Sequence, residues 1–328
     1  MSTLVAVPVR PDPMLCDLEL PLRGRFYPAG FPLRIATNSR HVLESAEESW
    51  STWGQEFDVA PMRFRVVIHP EGERSGEPVF RVQDRLLQIV YDANNFASAD
   101  FRTNFAAFFL SEKTAAEHAW LRWFYVESMA YMMLTQRHVV GIHAACVSRR
   151  GQGLMLCGAS GAGKSTLAFA CARAGWTFVA DDCTWLLTGE VAQTAGPREA
   201  IGRPYQIRFR EDVARHFPEL DGYMTRTRPN GKASIEVPTR LFPHLSTAAR
   251  CTVAGLVFLN RTGGKAQLEP VLPDVAVDTL LDDMPSYGPE VNTGHERAVG
   301  ELRGVGAWRL HYETIEDALR LLNGIQPE

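Results

Sequence analysis

The stretch GASGAGKS, Gly158 to Ser165, has the G-x-x-x-x-G-K-[ST] spacing of a Walker A phosphate loop, or P-loop. Its glycines, Gly158, Gly161 and Gly163, let successive amide groups turn inward at a helix N-terminus, which makes a cradle of partial positive charge. Ala159, Ser160 and Ala162 complete the small-residue loop, and Thr166 extends the nucleotide-binding set past it. Lys164 adds a mobile full charge for the outer phosphates, and Ser165 has the hydroxyl that ligates magnesium in such loops. An apolar strand-like run before the loop and a helical run after it supply the context that this motif requires.

Three further residues bring proton and metal chemistry. VADD ends the next strand with Asp181 and Asp182. One carboxylate beside a phosphate loop can serve the metal, and a second can take the proton of an incoming hydroxyl. Neighbours on an extended strand point to opposite faces, so both acids reach one site only if the strand bends or ends there. His143, in GIHAACV, lies on a strand expected to pair with the one feeding the loop, which puts it near the phosphates; the other reading is a hydrogen-bonded core histidine. Downstream, Arg203, Arg208, Arg210, Arg215, Arg226, Arg228 and Lys232 form a basic cluster. It either grips a phosphate or an acidic substrate segment through forked contacts, or is a solvated face.

The elements that must position these residues are legible from periodicity. PLRIAT, MRFRVVIHP, PVFRVQ and LLQIVYD read as strands, and SRHVLESAEESW as a short helix starting at Ser39. SEKTAAEHAWLRWFYVESMAYMMLTQRH reads as one long helix with Ser111 as N-cap, and it delivers the chain into a second domain. The expected division is an N-terminal mixed α/β domain over 1–137 and a catalytic domain over 138–328. In the latter, GIHAACVSR and GLMLCG read as a hairpin, STLAFACARAG as the loop helix, and WTFVADD, CTWLL and VAGLVFLNR as strands. RFREDVARHF reads as a helix, and TIEDALRLLNG as a closing helix capped by Thr314.

Composition limits the partners. The 328 residues are 45% hydrophobic and 22% charged, with a formal net charge of -4, so no basic field draws the chain to nucleic acid or anionic membrane. The most apolar helix candidate is interrupted by Glu117, His118, Arg122 and Glu127, which breaks the length a membrane span needs. Six dispersed cysteines without a C-x-x-C pair suit a reducing cytoplasm, and the N-terminus reads as no signal peptide.

The segment IHAACVSRRGQGLMLCGASGAGKSTLAFACARAGWTFVADD resembles the catalytic domain of HPr kinase/phosphorylase and its HPr-kinase-related serine kinases: a histidine on the preceding strand, G-x-S-G-x-G-K-S, and A-D-D after the loop helix. Lys232 resembles, more loosely, a lysine-glycine turn of the related kinases. The resemblance implies a phosphoenolpyruvate-carboxykinase-like P-loop kinase fold. It implies transfer of the γ-phosphoryl group of ATP, with Mg2+, to a serine or threonine hydroxyl of a protein or peptide. On it, Gly158 to Ser165 hold the β-phosphate, Lys164 the β and γ oxygens, and Ser165 the magnesium. Asp181 is the base, Asp182 helps hold metal or water, and His143 lies against Asp181. GRPYQIRFRE lacks the glycine pair of the bifunctional enzymes' R-G-x-G-I-I signature, so the expected direction is the forward kinase reaction.

Other readings stay open on the residues themselves. The same loop and acids would serve a small-metabolite kinase or a carboxykinase-like enzyme, a non-catalytic nucleotide-binding regulator, or an ATPase driving motion. The acceptor, the base of the nucleotide and the oligomeric state, a homo-oligomer included, are not set by these residues.

Overall fold

The structure is a computed structural model that describes residues 18–70, 72, 78–227, 231, 233–261 and 265–325. Cys16, Arg228 and Lys232 lie outside the described residues. The chain is mixed α/β with several sheets and separates into two compact units. The first comprises 1–27, 31–51 and 58–129; the second takes Pro28–Gly30 and Thr52–Phe57 together with Ala130–Glu328. No helix is long and apolar enough to cross a membrane among the described residues.

The first unit is built on a sheet of β1 (Leu22–Phe26), β2 (Leu33–Thr37), β3 (Met62–His69), β4 (Val79–Gln83), β5 (Leu86–Asp92), β6 (Asn95–Asp100) and β7 (Phe105–Ser111), ordered β1-β2-β3-β7-β6-β5-β4. β3 shows why it forms: Met62, Phe64 and Val66 are buried on one face while Arg63 and Arg65 alternate outward. The helix Arg40–Trp50 joins β2 to its parallel neighbour β3 and buries Val42, Ala46 and Trp50, spaced four apart on one stripe.

The expected long helix is not one helix. Ser111 does cap it, its side chain accepting from the amide of Thr114, but Glu117 at φ -79 and ψ 73 breaks the run after Ala116. Helical segments His118–Trp120, Leu121–Glu127 (a π-helix) and Ser128–Thr135 follow. Periodicity carried across the break because apolar residues continue on both sides of it.

The second unit contains β8 (Val139–Ile142), β9 (Ala144–Arg149), β10 (Gln152–Cys157), β11 (Thr177–Ala180), β12 (Thr184–Leu187), β13 (Glu199–Ile201), β14 (Gln206–Phe209), β15 (Thr225–Thr227), β16 (Ala233–Pro238), β17 (Ser246–Thr247), β18 (Arg250–Asn260), β19 (Gln267–Pro270) and β20 (Gly306–His311). The main sheet runs β17-β11-β9-β10-β18-β13-β12-β8, and β20 pairs with both β18 and β19. β14, β16 and β15 make a small separate sheet. The RFREDVARHF segment is therefore corrected: residues 206–209 are a strand held by β16, and only Glu211–Arg215 makes a short 3-10 turn. A partner some thirty residues away overrides the local helical pattern.

Helices cover both faces of the main sheet. On one, the loop helix Lys164–Arg173 and the closing helix Ile315–Asn323 pack over Ala145, Val147, Leu154 and Leu156. Phe169 is central there, with Phe209, Phe217 and Phe242 edge-on at ring centroid distances of 5.3, 4.8 and 5.3 Å. On the other face, Ala276, Val277, Leu280 and Val299 from the helices Pro273–Asp282 and Pro289–Gly300 close over Cys146, Met155 and Leu256.

Candidate functional site

Strand direction brings the chemistry-bearing residues together. β10 and β11 both run antiparallel to β9, which lies between them, so both end at the edge where β9 begins. Cys157 pairs with Ala144, and Ala180 with Cys146. The glycine-rich loop, the two acids and His143 therefore step off one sheet edge. β18 and β20 run parallel to β10 and add Arg261 and Tyr312 at the same edge. This is the carboxyl end of the strands, where α/β sheets place their ligands.

The loop has the backbone that its sequence requires. Gly161 and Gly163 adopt φ values of 92° and 96°, and Gly163 caps the loop helix in the left-handed region. A Cβ on Gly163 would stand 2.9 Å from the Tyr312 hydroxyl, which itself donates to the carbonyl of Ala162 at 3.2 Å. Lys164 is buried, and its Nζ donates to the carbonyls of Gly158 at 2.7 Å and Ala159 at 3.2 Å. Burial holds the Lys164 ammonium below its ordinary pKa, against the pull of Asp182, Cys157 and Asp283.

The third partner of Lys164 is His143, whose Nε2 lies 2.9 Å from Nζ. An ammonium can only donate, so Nε2 is the accepting nitrogen and the ring proton sits on Nδ1. Nδ1 in turn faces Oδ1 of Asp182 at 3.5 Å. His143 is not inside a strand: it occupies the bend between β8 and β9, which pair with different neighbours, so its half-exposed ring projects from the edge. The expected contact between His143 and Asp181 is corrected accordingly, since the bend after β11 turns the two acids apart.

Asp181 is buried, and its Oδ2 accepts the backbone N–H of Arg208 at 2.6 Å. Burial raises its carboxyl to about 6, partly offset by the charge of Arg208 and that hydrogen bond. Its carbonyl accepts from the Ser165 hydroxyl at 3.2 Å, so the first acid and the metal-type hydroxyl are neighbours. Asp182, by contrast, is half-exposed beside His143 and within the electrostatic reach of Lys164. The acid expected as base is thus turned onto β14, and the acid expected at the metal faces the lysine.

The residues fit a nucleotide phosphate: a helix N-terminus preceded by left-handed glycines, a buried ammonium and a hydroxyl at the next position. Among the described residues no three His, Cys, Asp or Glu side chains are grouped as a metal site. Magnesium retains waters and phosphate oxygens as most of its ligands, so the Ser165 hydroxyl is the group that would reach it from the protein. Beyond the loop lies a shallow hollow lined by Gly163, Thr166, His216, Arg261, Tyr312 and Ile315. Sequence reasoning missed Tyr312 and Arg261, which carry no local motif; their only signal is that each follows a strand of the same sheet.

Residues 109–197 match the family described as SynChlorMet cassette protein ScmC, a stretch that runs from the end of β7 through the loop and both acids. Among solved structures, the chain is similar to the Hpr(Ser) kinase/phosphatase from Coxiella burnetii at 12% identity, with a TM-score of 0.27, covering 56% of this chain and 88% of that one. No curated protein matches the sequence.

Proposed function

We propose that the chain is an ATP- and magnesium-dependent phosphotransferase acting on a serine or threonine hydroxyl of a protein or peptide. The observation that carries this reading is the convergence of Lys164, His143 and Asp182 beside the phosphate loop at one sheet edge. A switch that only bound nucleotide would have no use for an acid and a histidine aligned behind the lysine. The protein or peptide class of acceptor comes from the sequence resemblance.

When bound, magnesium ATP supplies the terminal phosphoryl group and the metal offsets part of its charge. The loop amides of Gly158 to Ser165, with Thr166, hold the phosphate chain, and the hollow beside Thr166 takes the nucleoside half. Lys164 exchanges its carbonyl partners for phosphate oxygens, a swap that its three short contacts make local. Ser165 and its neighbour Asp181 would hold the metal. Asp182 accepts the proton of the acceptor hydroxyl at its carboxylate, and His143 orients that carboxylate through Nδ1–H.

Labelled ATP, magnesium and a set of candidate peptides, including those encoded beside the gene, test the reading. Label is expected in peptide, with Lys164→Ala and Asp182→Asn each lowering transfer by about 100-fold. Full transfer by Asp182→Asn together with loss in Asp181→Asn would return the base to Asp181. Label confined to small metabolites would sink the peptide assignment, and tight nucleotide binding with no transfer to any acceptor would sink the enzyme.

A further inference from the structure

The basic cluster seen in the sequence resolves into arginines with different occupations. Arg208 is committed to Glu236, with Nε 3.0 Å from Oε1, and Arg215 to Asp212 at 2.5 Å. Arg210 is different. It stands exposed just past β14, and among the described residues its guanidinium has neither a hydrogen bond nor a carboxylate in ion-pair range. It lies instead across the phosphate loop: a Cβ on Gly161 would stand 2.7 Å from one terminal nitrogen and 3.1 Å from both Cζ and the other. With no side chain at position 161, the guanidinium lies close against the main chain of the loop.

This places a second full positive charge on the loop that already carries Lys164, and each charge raises the cost of the other; the proximity of Arg210 is one of the influences lowering the lysine's pKa. Water screens the exposed guanidinium in part, and an anion seated between the two cations would offset both charges. A guanidinium presents a rigid fork that matches two phosphate oxygens at once, where an ammonium is a point charge.

We propose that Arg210 is the second cation of the cradle, gripping the terminal phosphate of a bound nucleoside triphosphate from within the same chain. The assignment rests on the nucleotide reading above and adds to it a means of telling triphosphate from diphosphate. Arg210 leans over Gly161 in the middle of the loop, whereas the nucleoside hollow adjoins Gly163 and Thr166 at its far end.

Calorimetric titration of the full chain with magnesium and either ADP or adenylyl imidodiphosphate tests it, using wild type, Arg210→Ala and Arg210→Lys. Wild type is expected to prefer the triphosphate analogue. Arg210→Ala should lose about tenfold in affinity for the analogue while its ADP affinity stays within about twofold, and Arg210→Lys should recover only part of the loss. Because Arg210 is exposed, all three proteins should melt alike. An unchanged preference in Arg210→Ala, or equal losses for both ligands, would overturn the Arg210 assignment and leave the nucleotide reading standing. A wild type that binds neither ligand would overturn both.

Discussion

Asp181 carries the largest tension between stability and site chemistry. Its folded pKa of about 6 lies above the ordinary 3.8, so the folded chain prefers the protonated acid. The sign follows from linkage: the contribution favours folding below about pH 4 and is lost as pH rises through 6, leaving the ionised carboxylate a cost of about 3 kcal/mol at neutral pH. Asp181→Asn keeps an oxygen to accept the Arg208 N–H. That variant is expected to be more stable than wild type by about 1–3 kcal/mol at pH 8, with the difference vanishing toward pH 4. Denaturant unfolding of both proteins across that range checks it; a variant less stable at pH 8 would show that the ionised acid is not under strain.

The loop helix works as an element because its body and its loop end are fixed by different means. Along its length, Phe169 at mid-helix sits among three aromatic rings, and burial of that size locks the helix against β14 and the sheet. At the loop end, the contacts are polar: Lys164 to His143 and to the carbonyls of Gly158 and Ala159, Ser165 to the carbonyl of Asp181, and the Tyr312 hydroxyl onto Ala162. Tyr312→Phe removes only that donor and keeps the buried ring. It is expected to cost about 1 kcal/mol in unfolding free energy and to weaken ADP binding several-fold through a less ordered loop. Thermal melts together with ADP titration measure both effects, and no change in either would show that the loop is shaped by its glycines alone.

At the scale of the whole molecule, the second unit draws on the beginning of the chain. Trp53 is buried and meets Tyr205 edge-on at 5.3 Å, and Arg250 lies 5.2 Å over the ring of Phe57. A fragment of residues 130–328 lacks both partners and the buried turn at Pro28–Gly30. It is expected to be destabilised by about 3 kcal/mol or more relative to the full chain, the usual cost of deleting a buried tryptophan. Calorimetry of fragment and full chain decides it; equal melting temperatures would mean that these pieces add nothing.

The glycine-rich loop, its helix, the hairpin before it and the acids after β11 were legible in the sequence, because each is a local pattern: glycine spacing, periodicity of 3.6 or 2, and strand ends marked by charge. The break at Glu117, the strand at 206–209 and the assignment of Trp53 to the later unit were not, since each depends on partners far along the chain. What the sequence determined by itself is the chemistry on offer: a lysine among turned amides, a histidine and two adjacent acids. Tertiary structure alone decided which groups meet: that Asp182 faces His143 while Asp181 is bound under β14, and that Arg210 crosses Gly161. Side chains one residue apart on a bending strand end point to different neighbours, and only the fold supplies those neighbours.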